Sequence, residues 1–399
     1  MLRRIHSPVL LANVADARAR AFIALFTCDA TARSLVISLL PLLIYAQLGD
    51  AQLVSVAYFL VALLGLAATL TVPIILQRVR RRWILTAGAT SQIVSASLFA
   101  VGTSHTLLLG LAFQVVSIAM LDVVINLYLL DHVPRRGLTF FEPRRLLFAG
   151  GAFAAGPWLG VYLYRNVAEW SPYLLVGIAM LVLLALFWSM RLADNPSLQP
   201  GTAPPSTPLS FVRRFASQPR LVLSWILALG RNGWWVMFFM YVPIYVTSVG
   251  YRPEVGGGLV SLGLLPMLMV RVWGRIAQRM GVRTLLVFAY GMTGILALVA
   301  AAAAAAGLPL VCMIFLCLAA FAATAIDGAG NVPFLRAVHH YERSEMTSVF
   351  MTFRHVGALC IPGILMLVLW VAPLPSVFVM GGALSLFMAM LSRFLPRGL

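Results

Sequence analysis

The stretch LDVVIN, residues 121–126, recurs 205 residues later as IDGAGN, residues 326–331. Each copy lies in a long apolar run and carries an Asp followed four residues later by an Asn, a spacing that puts both side chains on one helix face. An ionised carboxylate at the centre of a membrane-spanning helix costs about 2.5–3.5 kcal/mol, so it normally faces protein or a water-filled cavity. The repeat therefore predicts two related halves, each with a polar pair that is a candidate for function.

The composition is that of an integral membrane protein. Of 399 residues, 61% are hydrophobic and 10% are charged, against about 25% charged in ordinary soluble domains. We predict an all-α fold of twelve transmembrane helices, each about 20 residues or longer and so able to cross about 30 Å of hydrocarbon. A β-barrel would need short alternating segments, which the sequence lacks. The predicted spans are residues 20–47, 52–76, 83–102, 106–131, 145–165, 172–190, 221–248, 256–278, 284–305, 308–336, 346–370 and 374–393.

The basic residues are distributed unevenly along this topology. All 29 are Arg, and the formal net charge is +17. When arginines near a span end are counted with the adjoining loop or terminus, 23 lie in the N-terminus, the C-terminus and the loops after even-numbered spans. Two lie in the opposite loops, and four lie well within spans. By the positive-inside rule, this asymmetry predicts that both termini are cytoplasmic, in a bacterial-type inner membrane. We expect no nucleic-acid partner, and the N-terminal sequence does not predict a removed signal peptide.

The chain divides at a segment rich in Pro and Ser. Residues 193–220 predict a flexible cytoplasmic linker between six spans in residues 1–192 and six in residues 221–399. At the offset of the first repeat, Pro157 in span five falls on Pro362 in span eleven, so we expect kinks at matching points. Parallel repeats of this kind are typical of transporters whose site lies near the membrane midplane, between the halves.

A second repeat lies in the loops after spans two and eight, where PIILQRVRRR, residues 73–82, aligns with GRIAQRMGVR, residues 274–283. On these features the chain resembles the major facilitator superfamily over nearly its whole length. GRIAQRMGVR is similar to that family's loop motif, G-x-L-A-D-R-x-G-R-R, with Gln278 in place of the acid. The loop-motif residues here are Gly274, Arg279, Gly281 and Arg283, with Arg78 in the first-half copy.

Span five carries a further resemblance. AFAAGPWLG, residues 152–160, is similar to the G-x-x-x-G-P-x-x-G-G pattern of proton-coupled antiporters, and it keeps Gly156, Pro157 and Gly160. Small residues of this kind let helix backbones approach closely. The R-x-x-x-G pattern of drug antiporters is missing from span four, so the resemblance does not extend to that group.

The resemblance implies that spans one, four, seven and ten line a central cavity, and the buried polar residues concentrate in those spans. A carboxylate in a partly dehydrated cavity can change protonation as the cavity opens. A guanidinium holds a carboxylate or phosphate in a bidentate fork. The candidate proton carriers are Asp29, Asp122 and Asp327, and the candidate substrate ligands are Arg33, Asn126, Arg231, Asn232 and Asn331.

Purely structural interpretations of the same residues stay open. Asp29 and Arg33 are spaced i, i+4, so they can simply neutralise each other. The two Asp-Asn pairs can brace helix packing through hydrogen bonds. A further hypothesis is that Arg354 of span eleven pairs with Asp327 on the neighbouring span.

Charged residues near the predicted cytoplasmic ends of spans are candidate gates, because ion pairs between helix ends would favour one state of alternating access. The alternative is that the arginines only fix the topology. The candidates are Arg78, Asp131 and Arg279, with Glu142, Arg144, Arg145, Glu342, Arg343 and Glu345 in two equivalent loops.

Several chemistries have no motif in this sequence. There is no G-x-x-x-x-G-K-[ST] loop and no Lys, so we expect no ATP-driven pumping. The four Cys lie in predicted spans, and the Cys and His residues have no metal-ligand spacing, so neither a metal nor a cofactor is expected. Nucleophile-elbow and zinc-protease motifs are also missing, so we do not expect an enzyme.

The sequence thus predicts a secondary transporter that moves a small organic solute by alternating access and is driven by the proton gradient. Export is slightly favoured by the span-five pattern, and proton-coupled uptake of an organic anion is the alternative, favoured by Arg33 and Arg231. A rival hypothesis is a receptor or sensor that binds a ligand on the same fold without moving it. The expected partners are a small molecule, protons and the lipid bilayer.

Overall fold

In the computed structural model of the protein, the described residues are 17–76, 78–132, 135–190, 208–339 and 343–396. Over these ranges the chain is almost entirely helical and has no strand. A 3₁₀ turn, Leu265–Met269, joins α10 to α11. The helices are α1 (Ala17–Ile37), α2 (Leu39–Leu48), α3 (Ala51–Leu76), α4 (Arg81–Val101), α5 (Ser104–His132), α6 (Arg135–Asn166), α7 (Ser171–Ser189), α8 (Pro208–Ala216), α9 (Pro219–Ser248), α10 (Pro253–Leu264), α11 (Val270–Met280), α12 (Val282–Ala305), α13 (Pro309–Ala329), α14 (Val332–Ala337), α15 (Arg343–Met351), α16 (Phe353–Val371) and α17 (Ser376–Ser392).

Helices that are long and apolar enough to cross a membrane account for most of the predicted spans. Ten lie in the described residues, or eleven if the bent pair Pro253–Met269 and Val272–Met280 is one span. The last predicted span coincides with α17, a shorter apolar helix of 17 residues. The all-helical, multi-pass membrane fold is confirmed. The count of twelve stays a prediction for the bent pair and for α17.

Four predicted spans are broken into two helices. Span one divides at Ser38, span ten between α13 and α14, and span eleven between α15 and α16. The sharpest break, 60°, lies in span eight. The 3₁₀ turn at that break contains Pro266, which has no backbone N–H for a helical hydrogen bond. Pro157 and Pro362, by contrast, lie inside continuous helices, α6 and α16.

Part of the predicted linker is helical. α8 precedes α9, which begins at Pro219, while residues 193–207 lie outside the described ranges. Phe215 of α8 is buried in an apolar cluster with Leu221, Phe334 and Phe350. Burial of this ring explains why the end of the linker is folded against spans seven, ten and eleven.

Consecutive membrane helices are antiparallel, so the connections between them alternate between the two ends of the bundle. The arginines are concentrated at one of these ends. The end that carries Arg20, Arg78 and Arg279 is called the Arg-rich end below. Gly281 of the loop motif lies there, with φ 83° and ψ 143°, a conformation that is essentially restricted to glycine. Four turns at the opposite end each use a glycine with positive φ: Gly49, Gly102, Gly250 and Gly307.

The two halves of the chain meet along three helix pairs. α3 packs against α16, α6 against α10, and α2 against α9. The approach is close where span five crosses span eight, since a Cβ on Gly257 would come within 2.8 Å of the carbonyl oxygen of Pro157. The residue pattern of span five therefore lies at the boundary between the halves.

The other side of α6 packs on α1. A Cβ on Gly160 would overlap the carbonyl oxygen of Leu35, and one on Gly156 would overlap the side chain of Ser34. Only residues without a side chain fit at these two contacts. Gly151 of the same helix has open space at its Cβ position.

We predict that Gly160→Ala lowers the melting temperature of the protein in detergent. The added methyl group would force α1 and α6 apart, and overpacking of this kind costs about 1–3 kcal/mol. Gly151→Ala is the matched control, because a helical Gly→Ala change in open space is neutral or slightly stabilising. Equal melting temperatures for the two variants, measured by scanning fluorimetry, would contradict the observed contact.

Candidate functional site

Arg33 of α1 binds two carboxylates that come from two helices. Its Nε and Nη2 donate to Oδ1 and Oδ2 of Asp29 at 2.9 and 2.8 Å. Its Nη2 and Nη1 donate to Oδ1 and Oδ2 of Asp122 in α5 at 2.7 and 3.3 Å. The Asp29 side chain is 12% exposed, whereas that of Asp122 is 47% exposed. Asp122 is therefore the carboxylate of this cluster that water can reach.

The second half contains a related cluster. Nε of Arg231 in α9 lies 3.5 Å from Oδ1 of Asp327 in α13, and its Nη2 donates to Oδ1 of Asn331 at 2.9 Å. Nε1 of Trp235, one turn after Arg231, donates to Oδ2 of Asp327 at 2.8 Å. The charged side chains are only 11% and 15% exposed. The second cluster therefore contains one guanidinium and one carboxylate that are both largely shielded from water.

The two clusters share a plan but differ in charge. In each half, an Arg on the first span binds an Asp on the fourth span. Asp29, four residues before Arg33, has no counterpart, because the residue four before Arg231 is the buried Leu227. With all groups ionised, the first cluster has a net charge of −1 and the second is neutral. The mutual neutralisation expected of Asp29 and Arg33 is thus one part of a larger, unbalanced triad.

Glycines in IDGAGN make room for the second cluster. A Cβ on Gly330 would come 2.5 Å from Nη1 of Arg231, and one on Gly328 would come 2.6 Å from Cβ of Trp273. LDVVIN has Val123 and Ile125 at the corresponding positions. Close approach of Arg231 and α11 to this stretch is therefore specific to the second half.

Two aromatic side chains, Trp235 and Phe353, lie at the second cluster and were not predicted from the sequence. The guanidinium carbon lies 5.6 Å from the ring centroid of Phe353. Trp235 stacks on Phe239 with centroids 5.5 Å apart. The spacing of Trp235, four residues after Arg231, is a signal that could have found it. Phe353 comes from span eleven and has no such signal.

The three asparagines that were predicted as substrate ligands have different surroundings. Asn331 joins the second cluster, whereas Nδ2 of Asn126 donates to the backbone oxygen of Asp122 at 2.6 Å, within its own helix. Asn232 faces α16, where a Cβ on Gly357 would overlap its Nδ2. That Nδ2 is buried and has no hydrogen-bond partner among the described residues. The structure therefore brings Asn331, but not Asn232, to the ion cluster.

The hypothesis that Arg354 pairs with Asp327 was wrong. α9 packs against both α13 and α16, and so places Arg231 beside Asp327. Arg354 instead lies close enough to Asp122, in the first half, for their charges to interact. Its side chain is exposed and forms no ion pair with any described residue. His355 also lies within electrostatic range of Asp122.

The predicted gates are mostly outside what the structure describes. Arg78 and Arg279 are exposed at the Arg-rich end, and Arg283 is half-buried. The Arg145 guanidinium lies 4.8 Å from the Phe26 ring centroid, within the first half. The described ranges contain no group of three His, Cys, Asp or Glu placed to hold a metal ion. The predicted gate residues whose side chains lie outside the described part are Asp131, Glu142, Arg144, Glu342, Arg343 and Glu345.

Hydrogen bonds between the halves lie from the middle of the bundle to the end opposite the Arg-rich end. The exposed polar groups of the cavity, Asp122, Asn126 and Asn331, lie toward the Arg-rich end. Within the described part of the chain, the polar bonds that join the halves and these exposed polar groups therefore lie toward different ends of the bundle. Between described residues, the joining bonds are Ser55 with Tyr241, the Trp158 N–H to Oγ of Ser261 at 3.0 Å, and Nδ2 of Asn166 to Oε1 of Glu254 at 3.2 Å.

We predict that Arg33→Gln destabilises the protein far more than a surface substitution does. It would leave two carboxylates without a counter-charge, at a cost on the order of 3 kcal/mol. The double variant Arg33→Gln/Asp29→Asn should recover part of the lost melting temperature, because one of the two unpaired charges is gone. Arg165→Gln, at an exposed site near the opposite end, is the control. A double variant no more stable than Arg33→Gln would argue against a shared guanidinium.

Comparisons with known proteins agree with this architecture. The structure is similar to those of the nucleoside transporter NupG (TM-score 0.72, 11% identity, covering 94% of this chain and 98% of that one) and of a D-xylose–proton symporter (0.70, 12%, 94% and 96%). It is also similar to a POT family transporter in complex with 5-aminolevulinic acid (0.72, 11%, 94% and 94%). No curated protein sequence matches the chain. A sequence profile of the Major Facilitator Superfamily matches residues 22–362, most of the chain, and the protein belongs to that family of membrane transporters.

Proposed function

We propose that this protein is a proton-coupled secondary transporter that moves a small organic solute by alternating access. The Arg-rich end is the cytoplasmic one by the positive-inside rule, with both termini on that side. The hydrogen bonds between the halves in the described part of the chain then lie from the middle of the membrane to its outer side, and the exposed Asp122 and Asn331 lie toward the cytoplasmic side. We infer that residues 1–192 and 221–399 are the two moving parts of such a cycle.

The observation that carries proton coupling is the sharing of Arg33 between Asp29 and Asp122. One guanidinium cannot balance two carboxylates, and an unbalanced charge in a low-dielectric site is costly. Uptake of one proton would make the triad neutral. Asp122 is the carboxylate that exchanges this proton with the cavity, because its side chain is 47% exposed. Asp29, whose side chain is less exposed, remains ionised and paired with Arg33 in this proposal.

We expect Asp122→Asn to uncouple transport from the proton gradient. In proteoliposomes, the wild-type protein should accumulate solute only under an imposed pH gradient. The variant should lose that accumulation but keep solute counterflow, since exchange needs no net proton movement. Asp50→Asn, an exposed acid at the opposite end, is the matched control.

The solute for these assays comes from a thermal-shift screen of the full chain at about pH 6 and pH 8, with organic anions, lipophilic cations and neutral metabolites. A ligand at 100 times its Kd stabilises by about 2.7 kcal/mol, which is readily detected. Gradient-driven accumulation by Asp122→Asn at the wild-type rate would contradict the assignment. Saturable binding with no flux under any gradient would support the receptor or sensor hypothesis instead.

For direction, we infer export of the solute in exchange for protons, on the span-five similarity to proton-coupled antiporters at Gly156, Pro157 and Gly160. The sign of the response to the pH gradient tests this inference. An antiporter moves solute toward the more acidic side, whereas a symporter moves it with the protons toward the more alkaline side. Accumulation on the alkaline side would contradict export by exchange.

Uptake of an organic anion is a second candidate function, and Arg354 is the observation that favours it. Arg33 and Arg231 already bind carboxylates, whereas Arg354 faces the cavity without an ion pair among the described residues. Arg354 lies within electrostatic range of Asp122 and of three other arginines, Arg33, Arg145 and Arg231. A solute carboxylate would give Arg354 an ion-pair partner.

We predict that Arg354→Gln weakens the binding of stabilising carboxylates about tenfold or more. A hydrogen bond to a charged group contributes about 1.5–3 kcal/mol. The measurement is the thermal shift given by a series of carboxylic acids and their uncharged amides, which also shows whether charge is recognised. Arg279→Gln, at an exposed position of the loop motif, should bind the acids like wild type. Equal shifts with acids and amides would exclude an anion-selective site.

A further inference from the structure

A groove at the Arg-rich end of the second half has no part in the transport site. Its volume is about 530 Å³, and it lies where three spans of this half end. Its walls are the first two turns of α9, the end of α14, and the residues after α17. The residues that matter for its chemistry are Arg220, Leu223, Ser224, Arg336, Phe394 and Leu395.

The polar and apolar residues of the groove occupy different depths. Arg220 lies in the first turn of α9 and Arg336 in the last turn of α14, both exposed at the Arg-rich end. Leu223 lies one turn deeper into the bundle, and Leu395 is buried at the base. Phe394 is 77% exposed at the rim. Guanidinium groups at a helix end above an apolar wall match the level of lipid head groups above acyl chains.

We propose that this groove binds an anionic phospholipid of the cytoplasmic leaflet. The phosphodiester accepts hydrogen bonds from the guanidinium of Arg220, and the acyl chains lie against Leu223 and Phe394. Arg336 adds positive charge to the same site, whatever else it contacts. Basic pockets between transmembrane helices on the cytoplasmic side bind anionic head groups in this way.

Charge complementarity favours a lipid over a second copy of the chain. Arg220 and Arg336 both line the groove, and Arg393, the residue before Phe394, is exposed nearby in the chain. Two such grooves facing each other in a dimer would repel, whereas an anionic head group is attracted to each. A free phosphate would use the guanidinium groups but leave the apolar wall and the exposed Phe394 ring in water.

The test is native mass spectrometry of the full chain, together with its melting temperature, in detergent with added phosphatidylglycerol. Phosphatidylcholine with the same acyl chains and water-soluble glycerol phosphate are the comparison probes. We expect the wild-type protein to retain phosphatidylglycerol in the mass spectrum and to melt at a higher temperature in its presence. Neither comparison probe should be retained or raise the melting temperature. Arg220→Gln/Arg336→Gln should bind phosphatidylglycerol about thirtyfold more weakly, since each arginine near an anionic surface contributes about 1 kcal/mol.

Arg213→Gln/Arg279→Gln removes the same charge from exposed sites elsewhere at the Arg-rich end, and should bind phosphatidylglycerol like wild type. Phe394→Ser is a second variant for the apolar wall, expected to weaken lipid binding without a change in charge. If both double variants lose the same amount of phosphatidylglycerol binding, the lipid is attracted by the overall surface charge, and the proposed site is wrong. Equal binding of phosphatidylcholine, equal stabilisation by glycerol phosphate, or a dimer that persists without lipid would also overturn it.

Discussion

The rest of the site depends on one constraint, which is that a charge inside a membrane bundle must be paired. Arg33 meets it by binding Asp29 within α1 and Asp122 from α5, so a single guanidinium ties the first span to the fourth. Arg231 does the same in the second half through Asp327. These pairs fix the rotation of four cavity-lining helices, because turning any of them would strand a charge in a low-dielectric environment.

Pairing also gives the two clusters different net charges. The first cluster has two acids for one arginine, and it is there that we propose a proton binds. The second cluster has one arginine for one acid. Trp235 hydrogen-bonds to Asp327, Phe353 lies beside Arg231, and Asn331 accepts a hydrogen bond from Arg231, so each charged group has fixed partners. The proposed division of labour, protons on the first half and solute between the halves, follows from this difference of one carboxylate.

The sequence was a good guide to what depends on the lipid solvent. Apolar length located the helices, the repeat identified equivalent acids, and helical spacing put Asp29 next to Arg33. It was a poor guide to contacts set by tertiary packing. Nothing local indicates that α9 packs against both α13 and α16, which is why the sequence led to the hypothesis that Asp327 pairs with Arg354, whereas its partner is Arg231. Hydropathy also cannot detect a break such as that at Pro266, because both helices of the bent pair are apolar.

The two copies of the repeat show how one helical motif acquired two geometries. LDVVIN and IDGAGN keep the acid and the amide, but only the second has glycines between them. At Gly330, the absence of a side chain lets Nη1 of Arg231 approach the helix, and Arg231 then reaches Asn331 as well as Asp327. Ile125 stands at that position in the first half. There, within the described part of the chain, Asn126 donates to its own helix, and Arg33 binds Asp29 as well as Asp122. A difference of one side chain between the copies is thus linked to which partners each arginine holds, and through them to the charge of each half.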